Sequence, residues 1–96
     1  MNYWLTQPAK DDLISIWEYT ANQWSEEQAD RYIDALDARF TWLTTNEGLW
    51  KTRSEITKGL FSYPEQNHVI QFWKRHDDSE ILRVLHGRME LKRHLY

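Results

Sequence analysis

The side chains best able to do chemistry crowd the end of the chain. Arg83, His86, Arg88, Lys92, Arg93, His94 and Tyr96 all fall in the last 14 of 96 residues. Cleaving RNA through its own 2′-hydroxyl needs a base, an acid and cations for the phosphate transition state. Arg83, His86, Arg88, His94 and Tyr96 can fill those roles without a metal. The cations Arg83, Arg88, Lys92, Arg93 and His94 fit a second use equally, as a surface that grips a target and transfers no proton. A third reading is structural. A lone histidine in an apolar strand is more often a hydrogen-bonded framework residue than a catalyst, and Arg83 and His86 fall under it.

Other chemistries lack their residues. The histidines of the C-terminal half are scattered over different elements, and no pair shows the short ligand spacing of a zinc site. Glycines stand only at 48, 59 and 87, too few for a phosphate-cradling loop. A Ser–His–Asp triad is recognised by geometry and cannot be argued from spacing. No cofactor or metal is expected.

The elements that must position the terminal cluster are legible. Ile81–His86 is an apolar, β-branched run interrupted by Arg83 and His86, which suits a central strand buried on both faces. Gly87 breaks it. Residues 2–6 read as a short strand, with Thr6 as cap and Pro8 in the first turn of a helix running to about Gln23. Asp11 and Asp12 are expected to complement that helix's positive N-terminus. Ser25 with Gln28 forms a capping box. Ala29, Tyr32, Ile33, Leu36, Phe40 and Leu43 then make the cleanest amphipathic stripe in the chain. Asn46-Glu47-Gly48 ends that helix, with Gly48 available for a left-handed turn. Residues 49–58 are the hardest to read, with a short strand expected around Ser54–Thr57. Gly59–Tyr63, His68–Lys74 and Ile81–His86 read as strands, separated by turns at Pro64–Asn67 and His76–Ser79. The expected fold is α+β: one domain, residues 1–96, with an N-terminal strand and a two-helix hairpin packed on an antiparallel sheet of about four strands.

Composition narrows the setting. There are no cysteines, so neither disulfides nor thiolate metal sites are expected, and a reducing cytoplasm is the natural compartment. No signal peptide and no apolar run of membrane-spanning length are visible. Residues 1–50 hold 3 basic and 9 acidic side chains, while residues 51–96 hold 9 and 6. The basic half can attract nucleic acid or an acidic protein, or be an ordinary solvated face. Six tryptophans are a heavy load for so short a chain. A core this small hardly hides them all, so one or two are expected to face a partner. Trp17, Trp24 and Trp73 are the expected contacts, under a partner segment lying across the helical hairpin and a sheet edge.

The segment Arg83-Val84-Leu85-His86-Gly87-Arg88-Met89 resembles the C-terminal signature of ParE-type toxins of the RelE/ParE superfamily. Ala9…Leu13…Ile16…Tyr19…Gln28-Ala29…Tyr32 is similar to the family's helical opening. Arg53…Glu55-Ile56…Gly59-Leu60…His68-Val69-Ile70 resembles its middle. The resemblance implies the toxin half of a bacterial toxin–antitoxin pair of the plasmid-stabilisation kind, neutralised by a co-encoded, ParD-like antitoxin. It implies DNA gyrase as the target, with no RNA cleavage, no membrane partner and no sequence-specific DNA binding by the toxin alone. The alternative within the superfamily is a RelE-like, ribosome-dependent mRNA endoribonuclease. A further alternative is a non-toxic binding module of such a complex. Two positions depart from the patterns. His68 stands where RelE-type enzymes tend to carry an arginine, which counts against the nuclease. Phe61 stands where ParE relatives often have arginine after Gly-Leu.

Overall fold

The computed structural model describes residues 2–87 of the chain. Its order is β1 (Tyr3–Leu5), α1 (Gln7–Gln23), α2 (Glu26–Leu43), a 3-10 turn (Glu47–Leu49), β2 (Lys51–Thr52), β3 (Phe61–Glu65), β4 (His68–Arg75) and β5 (Asp78–His86). Both helices start where their caps require. Thr6 Oγ1 accepts from Ala9 N at 3.2 Å, and Ser25 Oγ accepts from Gln28 N at 3.0 Å.

The strands form a five-stranded sheet in the order β1-β5-β4-β3-β2. That differs from the expected antiparallel sheet of about four strands in two ways. β1 pairs with β5 in parallel, so the sheet is mixed. The extra strand is β2, at Lys51–Thr52, where no sequence pattern of that length can announce itself. The expected strand at Ser54–Thr57 is instead a turn, closed by Ile56 N and Thr57 N both donating to Arg53 O. The positive-φ glycine is Gly59, at 84°, and not Gly48, which lies inside the 3-10 turn. Pro64 and Glu65, read as turn residues, extend β3. Proline is tolerated there because β2 covers only Phe61 and Ser62 of β3, leaving Pro64 on an open edge. The actual turns are two residues long, with Gln66 (φ 53°) and His76 (φ 58°) in left-handed backbone.

The helical hairpin covers one face of the sheet. Ala9, Ile16, Leu36, Phe40 and Leu43 meet Ile70, Phe72, Ile81 and Val84 in one core. In β5 the consecutive residues Ile81 and Leu82 are buried, and so are Val84 and Leu85. The register slips at Leu82, but Val84 and Leu85 beyond it are regular neighbours that point to opposite faces, so β5 is buried on both there, as its apolar run implies. Gln71 is also fully buried in β4, and among the described residues neither polar atom of its side chain has a partner.

β1 covers β5 only as far as Ile81. Beyond that point the open edge is closed by side chains and a loop. Thr6 N donates to Ile81 O at 3.1 Å and Thr6 Oγ1 to Leu82 O at 2.8 Å. Asp12 Oδ2 accepts from Val84 N at 2.9 Å. Pairing these backbone groups of the exposed edge makes that stretch a poorer template for another strand.

Candidate functional site

The features that carry chemistry lie around the last two turns of β5's pleat. Arg83 donates from Nε to Asp12 Oδ2 at 2.8 Å and from a terminal nitrogen to Oδ1 at 2.9 Å. This two-point fork is a strong form of ion pair. It sits largely out of water, and the carboxylate pushes the guanidinium still further from deprotonation. Asp12 was expected to serve the N-terminus of α1. It turns instead to β5, and the first turn of α1 holds no acidic residue.

Three residues beyond Arg83, His86 enters a groove of about 560 Å³ between α1, α2 and the β3–β4 turn. His86 stands directly opposite His68 in the β4–β5 register. The two imidazoles lie 5.6 Å apart, edge toward face. Tyr32, from the α2 stripe, shares a hydrogen bond of 2.6 Å with His68 Nδ1. Burial holds the His68 imidazole below its usual range, and His86 adds to this while Asp12 opposes it. Burial likewise raises the Tyr32 hydroxyl, with the Asn67 backbone pulling the other way and Glu65 adding to the rise. At the mouth stand Tyr19 and Trp24, exposed by 62% and 63%.

The sequence-selected residues are therefore split. Arg83 joins Asp12 at the strand edge, and His86 joins His68 and Tyr32 in the groove. Arg88, Lys92, Arg93, His94 and Tyr96 lie outside the described residues. The three tryptophans expected at a partner surface occupy different places. Trp24 lines the groove. Trp17 donates to Asp30 at 2.8 Å and ties α1 to α2. Trp73 donates to Glu80 at 2.7 Å on the sheet. Trp4 is the other strongly exposed tryptophan, at 60%, with its indole N–H on Asp78.

Tyr32, His68 and Asp12 are the site residues that sequence reasoning missed. In sequence Tyr32 reads as one more residue of a helical stripe, and His68 as a strand histidine without ligand spacing that stands where RelE-type enzymes tend to carry an arginine. Their meeting depends on strand register and helix placement, which no local pattern encodes. Among the described residues no three His, Cys, Asp or Glu side chains converge as a metal site.

Comparison with known proteins bears on this arrangement. A family model described as the ParE toxin of the type II toxin–antitoxin system, parDE, matches residues 3–91. The chain belongs to the ParE toxin family. Among curated relatives, Toxin ParE1 of Caulobacter vibrioides is 32% identical over 93 residues, covering 97% of this chain and 96% of its own. Toxin ParE of Escherichia coli is 32% identical over 90 residues, covering 93% and 87%. The fold of this ParE chain also matches a solved chain of the chromosomal ParDE system from P. aeruginosa. The TM-score is 0.77 at 17% identity, covering 90% of this chain and 95% of that one. The α+β architecture of this ParE toxin is thus shared with a ParDE structure, and its toxin class is given by family membership.

Proposed function

We propose that this toxin acts in the bacterial cytoplasm by binding DNA gyrase and poisoning it, without being an enzyme, and that a co-encoded, ParD-like antitoxin neutralises it. Membership of the ParE family supports the target and the partner. The observation that favours binding over cutting is the Arg83–Asp12 fork. A guanidinium held at two points by a carboxylate, which also closes the strand edge through Val84 N, is placed as a framework group and not as a clamp for a phosphate transition state. The binding surface for the target then centres on the cations after Gly87, namely Arg88, Lys92, Arg93 and His94, with Arg83 fixing the strand that delivers them. The antitoxin covers Trp24 at the groove and reaches toward Trp17 and Trp73.

A second reading, ribosome-dependent mRNA cleavage, has one observation in its favour. Tyr32, His68 and His86 bring three proton-carrying groups together in one groove. The deciding experiment sets purified toxin beside gyrase with supercoiled DNA, and beside translating ribosomes. Trapped gyrase–DNA cleavage complexes without mRNA cuts are the expected result. Codon-positioned mRNA cuts that vanish in His86→Ala, His94→Ala or Tyr96→Phe would overturn it. Neither activity would leave a non-toxic binding module.

A further inference from the structure

Helix α2 grips the tip of the β3–β4 hairpin at both of its legs. Tyr32 and Arg39 stand about two helical turns apart, so they share one side of α2. Arg39 Nε donates to Glu65 Oε1 at 2.6 Å, where β3 ends. Tyr32 and His68 Nδ1 share their 2.6 Å hydrogen bond where β4 begins. Burial favours the neutral form of both groups, so the bond joins an imidazole and a phenol. The tip is in turn tied to the end of β5. Gly87 N donates to Asn67 O at 2.8 Å. That carbonyl shares one planar peptide unit with His68 N. A hydroxyl on α2 is thus linked to Gly87 through one imidazole and one rigid peptide plane.

We infer that Tyr32 is a positioning residue for toxicity: its bond to His68 fixes the Asn67 carbonyl that seats Gly87, and so sets the course on which the chain leaves β5. This rests on the reading that the cations after Gly87 meet the target. A glycine has little backbone preference of its own, so its direction depends on what holds its N–H. The strand is held twice near its end. Asp12 holds Val84 N, and the hairpin tip holds Gly87 N. Losing the first opens the joint between α1 and the sheet. Losing the second frees the exit of the strand and leaves Arg39 still holding the β3 leg. Removing the Tyr32 hydroxyl therefore costs toxicity while the fold persists.

The test uses full-length variants. Tyr32→Phe removes the hydroxyl and keeps the ring. His68→Leu removes the other half of the bond. His68→Asn puts an amide near the place of Nδ1, able to meet the hydroxyl as donor or acceptor. Amide hydrogen exchange reads Gly87 N–H, with Val84 N–H as the reference on the same strand. Toxicity is read as growth arrest on induced expression and, separately, as trapped gyrase–DNA cleavage complexes. Tyr32→Phe is expected to speed exchange at Gly87 about fivefold more than at Val84, the scale of one hydrogen bond. The toxin level needed for arrest should rise by a similar factor. His68→Leu should match it, the double variant should be no worse than either single one, and His68→Asn should lie closer to wild type. Unchanged Gly87 exchange in Tyr32→Phe, faster exchange with undiminished toxicity, or additive losses in the double variant overturns the inference. So does a His68→Asn chain that keeps Gly87 protected but loses all toxicity, because His68 would then be a proton-transfer group. A wild-type chain that arrests growth without trapping gyrase sinks only the proposed target, since the variants are then scored on growth. A wild-type chain that does neither sinks both.

Discussion

Two stretches of β5 three residues apart, at Arg83 and at His86, handle polarity in opposite ways. At Arg83 the charge is answered from within the fold. Asp12 accepts two hydrogen bonds from the guanidinium and a third from the backbone N–H of Val84. At His86 the groove is open, flanked by His68, and the carboxylates near its floor are engaged by arginines. The first arrangement makes a rigid joint between α1 and the sheet. The second leaves a polar floor under an aromatic rim. The same strand can carry both because consecutive residues point to opposite faces, so residues 83 and 86 fall on different ones.

The comparison breaks hardest at the joint. Asp12→Ala leaves Arg83 without its carboxylate in a site mostly out of water and opens the edge at Val84 N. The expected loss is about 3–5 kcal/mol, read as a lowered midpoint in urea unfolding. An unchanged midpoint would mean that the fork is incidental. Replacing the pair together, as Asp12→Leu with Arg83→Met, should recover much of that loss.

A second test asks whether buried polarity without a partner behaves differently again. Gln71 lies in register opposite Arg83, fully buried, with no partner for either amide atom among the described residues. Gln71→Met keeps the volume and removes the stranded amide. It should stabilise the chain by about 1–3 kcal/mol, seen as a raised thermal midpoint.

The groove should respond more gently. Tyr32→Phe removes one hydrogen bond to His68 and should cost about 1 kcal/mol. Acid provides an independent probe. The folded pKa of His68 is depressed, so between pH 6.5 and that lower value the unfolded chain binds a proton that the folded chain does not. Stability is therefore fully present above about pH 6.5 and is lost as pH falls through the folded pKa. His68→Gln should flatten this part of the stability profile. A slope identical in wild type and variant would argue that His68 is not the group responsible.

The smallest effect belongs to the rim. Trp24 is strongly exposed, so Trp24→Ala should alter stability by no more than about 0.5 kcal/mol while weakening any partner that docks in the groove. A large loss of folding stability would show Trp24 to be a framework residue.

Much of this architecture could be read directly from the residue order. Both helices, their Thr6 and Ser25 caps and the burial of β5 on two faces follow from periodicity and short-range hydrogen bonding, which act within a few residues. The family signature around Arg83–Met89 was legible for the same reason, as a contiguous string. The parallel pairing of β1 with β5, the two-residue β2, the transfer of Asp12 from helix end to strand edge, and the meeting of Tyr32, His68 and His86 were not legible. Each joins residues far apart in the chain, and what sets them is strand register and the seating of the helices on the sheet. Those are decided by how the whole core packs, so only the tertiary structure could place them.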